Sequence, residues 1–143
     1  MSRFEAVIDT NEFYAGLRSQ LGASHRLLRG IGHNTAFQIH LSVPLVLEYE
    51  EIARRHARTL GLNYQDIDDI LDYLCSVAGL HEVFYMWRPF LPDPDDDMLL
   101  ELAVEAECNR LITFNLKDFA GADQFGVKAV GPSEFLHEIG VLP

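Results

Sequence analysis

Three groups of carboxylates, far apart in the chain, have the residue types to do chemistry together. Asp9 closes the apolar run "FEAVID". Glu48 stands among Leu45, Val46, Leu47 and Tyr49 in "VPLVLEYEEI", 39 residues further on. Asp93, Asp95, Asp96 and Asp97 crowd into "PDPDDDMLLELA", at the mouth of an apolar run with helical spacing. A helix start welcomes one or two carboxylates, each worth about 0.3–1 kcal/mol against its free N–H groups and dipole. Four are more than that role needs. Two carboxylates at about 4 Å repel by roughly 4 kcal/mol at an effective dielectric of 20, unless water, a proton or a bridging cation relieves them. For the run by itself a solvated helix cap and one wall of a cation site both stay open. Asp9 supplies a second carboxylate from a distant part of the chain. Glu48, in apolar surroundings, needs a partner for its charge, whereas Glu50 and Glu51 are assigned to the solvated face. Spacing alone does not separate those three.

The elements that must position these acids are legible as alternating strands and helices. "FEAVID" reads as a short buried strand, followed at once by a helix in "TNEFYAGLRSQ" with Thr10 or Asn11 as its N-cap. "ASHRLLRGIGHN" is a second helix stopping at Gly30 and Gly32, and "FQIHLS" alternates as a strand. Pro44 opens a helix that puts Leu45, Tyr49, Ile52, His56 and Leu60 on one stripe and ends at Gly61. "NYQDIDDILDYLCSVAGL" is a further amphipathic helix, and "HEVFYMW" is strand-like ahead of a loop punctuated by Pro89, Pro92 and Pro94. Then come a helix in "DDMLLELAVEAECN", a strand in "RLITF", a short helix at "LKDFAGA", a strand at "GVKAVG" and a helix at "PSEFLHEIG". Strands separated by helices imply parallel crossovers, hence an α/β sheet with helices on both faces. In such sheets ligands bind beyond the carboxyl ends of the strands, where strand order reverses. Asp9 follows its strand directly, as Thr113 and Asn115 follow "RLI".

Composition narrows the classes. At 143 residues and 48% hydrophobic content the chain supports one domain with a proper core. A formal net charge of −11 argues against broad electrostatic adhesion to nucleic acid or anionic membrane, so any nucleic-acid contact is local. The clusters Arg18, Arg26, Arg29 and Arg54, Arg55, Arg58 read first as solvated helix faces. No stretch approaches the roughly 18 apolar residues that span a bilayer, and "MSRFEAVIDT" lacks the apolar core of a signal peptide, so a cytoplasmic protein with no membrane partner is expected. Cys75 and Cys108 have no CxxC spacing, and the six histidines form no HExxH pair. No Gly-rich phosphate loop follows a strand. An aspartyl phosphatase would place a second acid where Asn11 stands.

Taken in order, these segments resemble the PIN domain family, specifically its VapC-like toxin ribonucleases. The resemblance rests on "VIDTNEF", on the glutamate within "LSVPLVLEYEEI", and on "DPDDDMLLELAVEAECNRLITFNLKDF" with its "T-x-[ND]-x-x-D-[FL]" close. It implies a single PIN-like domain over residues 1–143, with a central, mostly parallel sheet flanked by helices on both faces. It carries the catalytic acids onto Asp9, Glu48 and Asp97, with Asp96 as near competitor, and the fourth position onto Asn115, where many relatives carry Asp. It implies Mg²⁺ or Mn²⁺ held chiefly by Asp9 and Asp97, with Glu48 binding the ion or orienting a water. Thr10, Asn11, Thr113 and Asp118 support. The implied activity is hydrolysis of single-stranded RNA by the toxin of a toxin-antitoxin pair, with an antitoxin protein and a second copy of the chain as partners. The alternative, favoured by the neutral Asn115, is a PIN-like module that binds RNA or protein without cutting.

Overall fold

The computed structural model describes residues 3–83 and 90–143. Among these residues five strands, β1 (Phe4–Ile8), β2 (Phe37–Ser42), β3 (Gly79–His81), β4 (Arg110–Ile112) and β5 (Lys128–Val130), form one sheet in the order β3-β2-β1-β4-β5. Every pairing is parallel, so the expected "mostly parallel" sheet is wholly so among the described residues. The chain builds outward from β1 to β3 on one side and then returns to add β4 and β5 on the other. The strand order therefore reverses between β1 and β4, and the crevice of the fold opens there.

Among the described residues there are seven helices, six between strands and the last after β5: α1 (Thr10–Arg18), α2 (Ala23–Gly30), α3 (Val43–Arg55), α4 (Ala57–Leu60), α5 (Tyr64–Val77), α6 (Pro94–Glu105) and α7 (Pro132–Glu138). They lie on both faces, as parallel crossovers require. α6 packs across β1, β2 and β4. On the opposite face α7 sets Phe135 edge-on against Phe4 and Phe37, with centroids 5.7 and 5.4 Å away. The core is continuous through Val7, Ile39, Leu41, Leu100, Leu111 and Ile112, all buried. Gly16 lets α1 and α2 close on one another, since a Cβ there would lie 2.4 Å from Leu28 Cδ1 and 2.8 Å from the Ser24 carbonyl oxygen.

Several boundaries differ from the sequence expectation, each for a local reason. Asp9, not Thr10 or Asn11, is the N-cap of α1, because its extended backbone already ends the strand. The expected single helix over 43–62 breaks at His56 into α3 and α4. The helix expected to run to Leu80 stops at Val77, and Gly79–His81 pair with His40–Ser42 as β3. The strand expected from "HEVFYMW" therefore begins earlier, and residues 84–87 of it lie outside the described residues. "LKDF" forms a 3₁₀ turn rather than an α-helix, and a second turn follows at Ala122–Phe125.

Candidate active site

Strand and helix ends bring the acids together at the switch point. β1 delivers Asp9 to the crevice, 7% exposed. Its Oδ2 accepts a 2.8 Å hydrogen bond from Thr113 Oγ1, which arrives buried at the end of β4. Thr113 Oγ1 in turn accepts from the Asn115 amide at 3.0 Å, which shapes the turn out of the strand. One hydroxyl thus ties the ends of β1 and β4 together and fixes one oxygen of Asp9.

α3 supplies Glu48. Ser42 caps this helix through the Leu45 N–H, with Pro44 in the first turn. Its neighbour Tyr49 is buried, stacks on Phe13 at 4.2 Å and donates its hydroxyl to the Ile8 carbonyl. Burial and the charges of Asp9, Glu48 and Glu12 hold the Tyr49 hydroxyl well above its ordinary pKa, so it stays a donor. This anchor locks the rotation of α3, and Glu48 reaches Thr10 at the start of α1, whose Oγ1 donates to Glu48 Oε2 at 3.2 Å.

α6 supplies the third group, and here the four aspartates part company. Asp93 is the N-cap, its Oδ1 accepting from the Asp95 N–H at 2.9 Å. Asp95 and Asp96 line the crevice with Asp93. Asp97, the sequence's first choice for a metal ligand, does not line it. Its Oδ1 accepts the N–H groups of Leu91 at 2.8 Å and Phe90 at 3.3 Å, and the residue is 9% exposed. Successive helical residues point about 100° apart, and the step from Asp96 to Asp97 carries the side chain from the crevice to the loop amides. Asp96 is the acid beside Asp9.

The resulting cleft, about 340 Å³, is lined by Asp9, Thr10, Asn11, Glu48, Asp93, Asp95, Asp96, Asn115 and Asp118. Glu51, assigned from sequence to the solvated face, also borders it, as do Ile52, Leu99 and Arg55. An i, i+3, i+7 reading from Glu48 along α3 would have found Glu51 and Arg55. The net shifts of Asp9, Glu48 and Asp96 all run upward. Burial pushes the Asp9 carboxyl up, against the hold of Thr113 and the N–H groups of Asn11 and Thr10, and the Asp118 charge adds to the rise. Burial raises Glu48 too, opposed by the Thr10 hydroxyl and reinforced by Asp95, Asp9 and Glu51. Asp96 is pushed up to about 6, by burial first and then by Asp93, Asp9, Asp118 and Asp95.

These groups are hard oxygen donors, and a divalent cation would relieve the repulsion that raises them. They line the cleft wall without closing into a preformed cage. Among the described residues no three His, Cys, Asp or Glu side chains converge tightly enough to enclose an ion. That openness suits Mg²⁺, which keeps several waters and takes one or two carboxylates plus substrate oxygens.

Glu12, one turn into α1, was not singled out in the sequence. It is fully buried, and among the described residues neither carboxylate oxygen makes a hydrogen bond. Burial pushes it up to about 7, the facing Ser24 hydroxyl opposing and the Asp9 charge adding to the rise. The i, i+3 spacing from Asp9 was its only sequence signal.

Comparison with known proteins places this geometry. No curated protein matches the chain in sequence. Among solved structures it resembles a PilT N-terminus domain protein of the archaeon Sulfolobus solfataricus, at TM-score 0.59 and 17% identity, over 98% of this chain and 97% of that one. It resembles VapBC2 of Rickettsia felis bound to a DNA fragment from its promoter, at TM-score 0.59 and 12% identity, over 90% of this chain and 98% of that one. The third, PAE2754 of Pyrobaculum aerophilum, has TM-score 0.57 and 17% identity, with 97% of each chain covered. At these identities the likeness is one of fold. The family model of the PIN domain matches residues 5–117, which take in Asp9, Glu48, Asp96 and Asn115, and the chain belongs to the PIN domain family.

Proposed function

We propose that the chain is a divalent-metal-dependent endoribonuclease that hydrolyses single-stranded RNA, acting as the toxin of a toxin-antitoxin pair. One observation carries this reading. Asp9, Glu48 and Asp96 come from three separate elements to one cleft at the switch point of the sheet, and burial with mutual repulsion raises all three. PIN domains are generally nucleases, and the VapBC-type neighbour supports the toxin-antitoxin class, with an antitoxin protein and a second copy of the chain as partners.

Asp9 and Asp96 are the residues that would hold Mg²⁺ or Mn²⁺, with Glu48 beside them; Asp96 takes the place that the family resemblance implied for Asp97. When bound, the ion supplies Lewis-acid polarisation of the phosphodiester. Thr113 keeps one Asp9 oxygen fixed and leaves the other to face the cleft. Thr10 holds Glu48 Oε2, leaving Oε1 to orient a water and accept its proton, and a raised pKa makes Glu48 the better base. Asn115 presents a neutral amide that donates to a phosphate oxygen, where a further carboxylate would repel it.

The test is incubation of purified protein with unstructured RNA in Mg²⁺ or Mn²⁺, beside an Asp9→Asn control. Cleavage by the parent chain and not by the control is the expected result. Cleavage that persists in the control sinks the assignment. RNA binding without cleavage by either supports the second reading, a non-cleaving RNA-binding module, for which the amide at Asn115 is the specific observation.

A further inference from the structure

Arg54 and Arg55 sit side by side at the end of α3 and are used differently. Arg54 is engaged on several sides: Asp68 of α5 at 3.1 Å, Glu50 at 3.7 Å and the Tyr64 ring at 4.6 Å from its guanidinium carbon. It clamps α3 to α5. Arg55 pairs with Glu51, one turn back on its own helix, and both side chains are exposed, at 60% and 67%. An exposed i, i+4 pair of this kind holds by about 0.3–0.5 kcal/mol and is readily exchanged. Arg55 is also the one cation lining the cleft among the described residues, against seven carboxylates.

That imbalance poses a problem for the proposed substrate. A bound cation offsets charge where the reacting phosphate sits, but a polynucleotide brings further phosphates into a wall of acids. A positive side chain at the right offset counters that repulsion and can receive the next one. Arg55 lies seven residues from Glu48 on the same face of α3, a rise of about 10 Å, and its guanidinium can grip two phosphate oxygens at once. Its resting partner, Glu51, lines the same cleft, so the exchange happens in place.

We propose that Arg55 is the phosphate anchor of the cleft: it leaves Glu51 for the backbone phosphate adjoining the scissile one, and so selects a strand that continues past the cleaved bond. This rests on the nuclease reading of the cleft and adds to it a direction for the substrate, along α3 toward its C-terminal end. Glu51 acts as a competing anion that keeps Arg55 poised at the rim and off the metal-holding acids.

Two measurements test this. The first is the affinity of dye-labelled decauridylate in Mn²⁺ at several salt concentrations, read by anisotropy over the first seconds. Arg55→Ala weakens binding roughly tenfold and lowers the log–log salt slope by about 0.7, one phosphate contact. Glu51→Gln tightens it severalfold. Arg58→Ala, also on an exposed arginine, leaves it in place. The second is cleavage of UpU against pUpU and UpUp. The parent chain prefers one of the phosphate-bearing forms, and Arg55→Ala removes that preference; thermal melts confirm that each variant is folded. If the parent cleaves RNA while Arg55→Ala keeps its affinity, slope and preference, the anchor is wrong and the nuclease reading stands. If the parent cleaves nothing but Arg55→Ala still loses affinity and slope, the nuclease reading falls, and Arg55 stands only as a contact to a backbone phosphate with no scissile neighbour.

Discussion

The two ends of β1 hold acids in opposite ways. Glu5, near its start, receives Arg3 Nε at 2.9 Å and His40 Nε2 at 2.8 Å, and His40 Nδ1 lies 2.7 Å from His81 Nε2. The line of side chains Glu5–His40–His81 thus cross-links β1, β2 and β3. Burial pushes the Glu5 carboxyl up, but the hydrogen bonds and charges of His40 and Arg3 outweigh it, and the net shift is downward. Asp9, past the other end and on the same side of the strand by the two-residue alternation, has hydrogen bonds but no paired cation among the described residues, and its net shift is upward. An acid that serves the fold is neutralised where it stands. An acid in the cleft stands beside further acids instead.

The sharpest way to break this comparison is to neutralise the cleft end. Asp9→Asn and Asp96→Asn each lower metal-dependent RNA cleavage by about 10³, yet neither lowers the metal-free melting temperature at pH 8, because each removes repulsion. A loss of activity that merely tracked a loss of folded protein would make Asp9 and Asp96 structural acids like Glu5. Thr113→Val, which leaves both carboxylates but frees an Asp9 oxygen, costs about 10–100-fold in metal affinity or rate.

Glu12 gives the next largest effect, and it is one of stability. Its carboxyl rises from 4.5 to about 7 on folding. Between those values the folded chain holds a proton that the unfolded chain has released. Stability therefore falls as pH rises through that window, and the full deficit, about 3 kcal/mol, stands above pH 7. Glu12→Gln is expected to recover most of it at pH 8 and to flatten the pH dependence of denaturant midpoints between pH 5 and 8. An unchanged midpoint at pH 8 would mean that Glu12 has found a partner.

Asp97 tests the comparison within α6. Asp97→Ala removes the acceptor of two loop N–H groups and destabilises by about 2 kcal/mol. The variant that remains folded keeps its affinity for Mn²⁺, measured by titration, whereas Asp96→Asn loses it. The reverse pattern would restore Asp97 as the ligand.

The contrast also marks what was legible in the sequence. The strands and helices around Asp9 and Glu48 carried strong periodicity, and parallel crossovers followed from their alternation, so the sheet and its switch point were readable. Within "DDD" the choice between Asp96 and Asp97 turned on about 100° of helix rotation. That rotation is set by the loop amides of Phe90 and Leu91, which no spacing rule reveals. β3 was hidden because its three residues look like the end of an amphipathic helix and become a strand only by pairing with His40–Ser42. Glu12 was hidden for the converse reason: it reads as an ordinary first-turn acid, and only the close approach of α1 and α2 at Gly16 buries it.

The smallest expected effect completes the comparison at the structural end. Glu5→Gln keeps an oxygen that can still accept from His40 Nε2, but it removes the charge that Arg3 and His40 answer. The loss is that of a charge-assisted hydrogen bond reduced to a neutral one, about 1 kcal/mol. Because the Glu5 pKa is depressed on folding, its contribution is fully present above the unfolded value of 4.5 and is lost as pH falls through the lower folded value. The parent and Glu5→Gln should therefore differ in denaturant midpoint at pH 7 and converge as the pH falls below 4.5, while Mn²⁺ affinity and cleavage per folded molecule stay equal. A difference that grew on acidification instead would show that Glu5, like Asp9, is an uncompensated acid, and would remove the distinction between the two ends of β1.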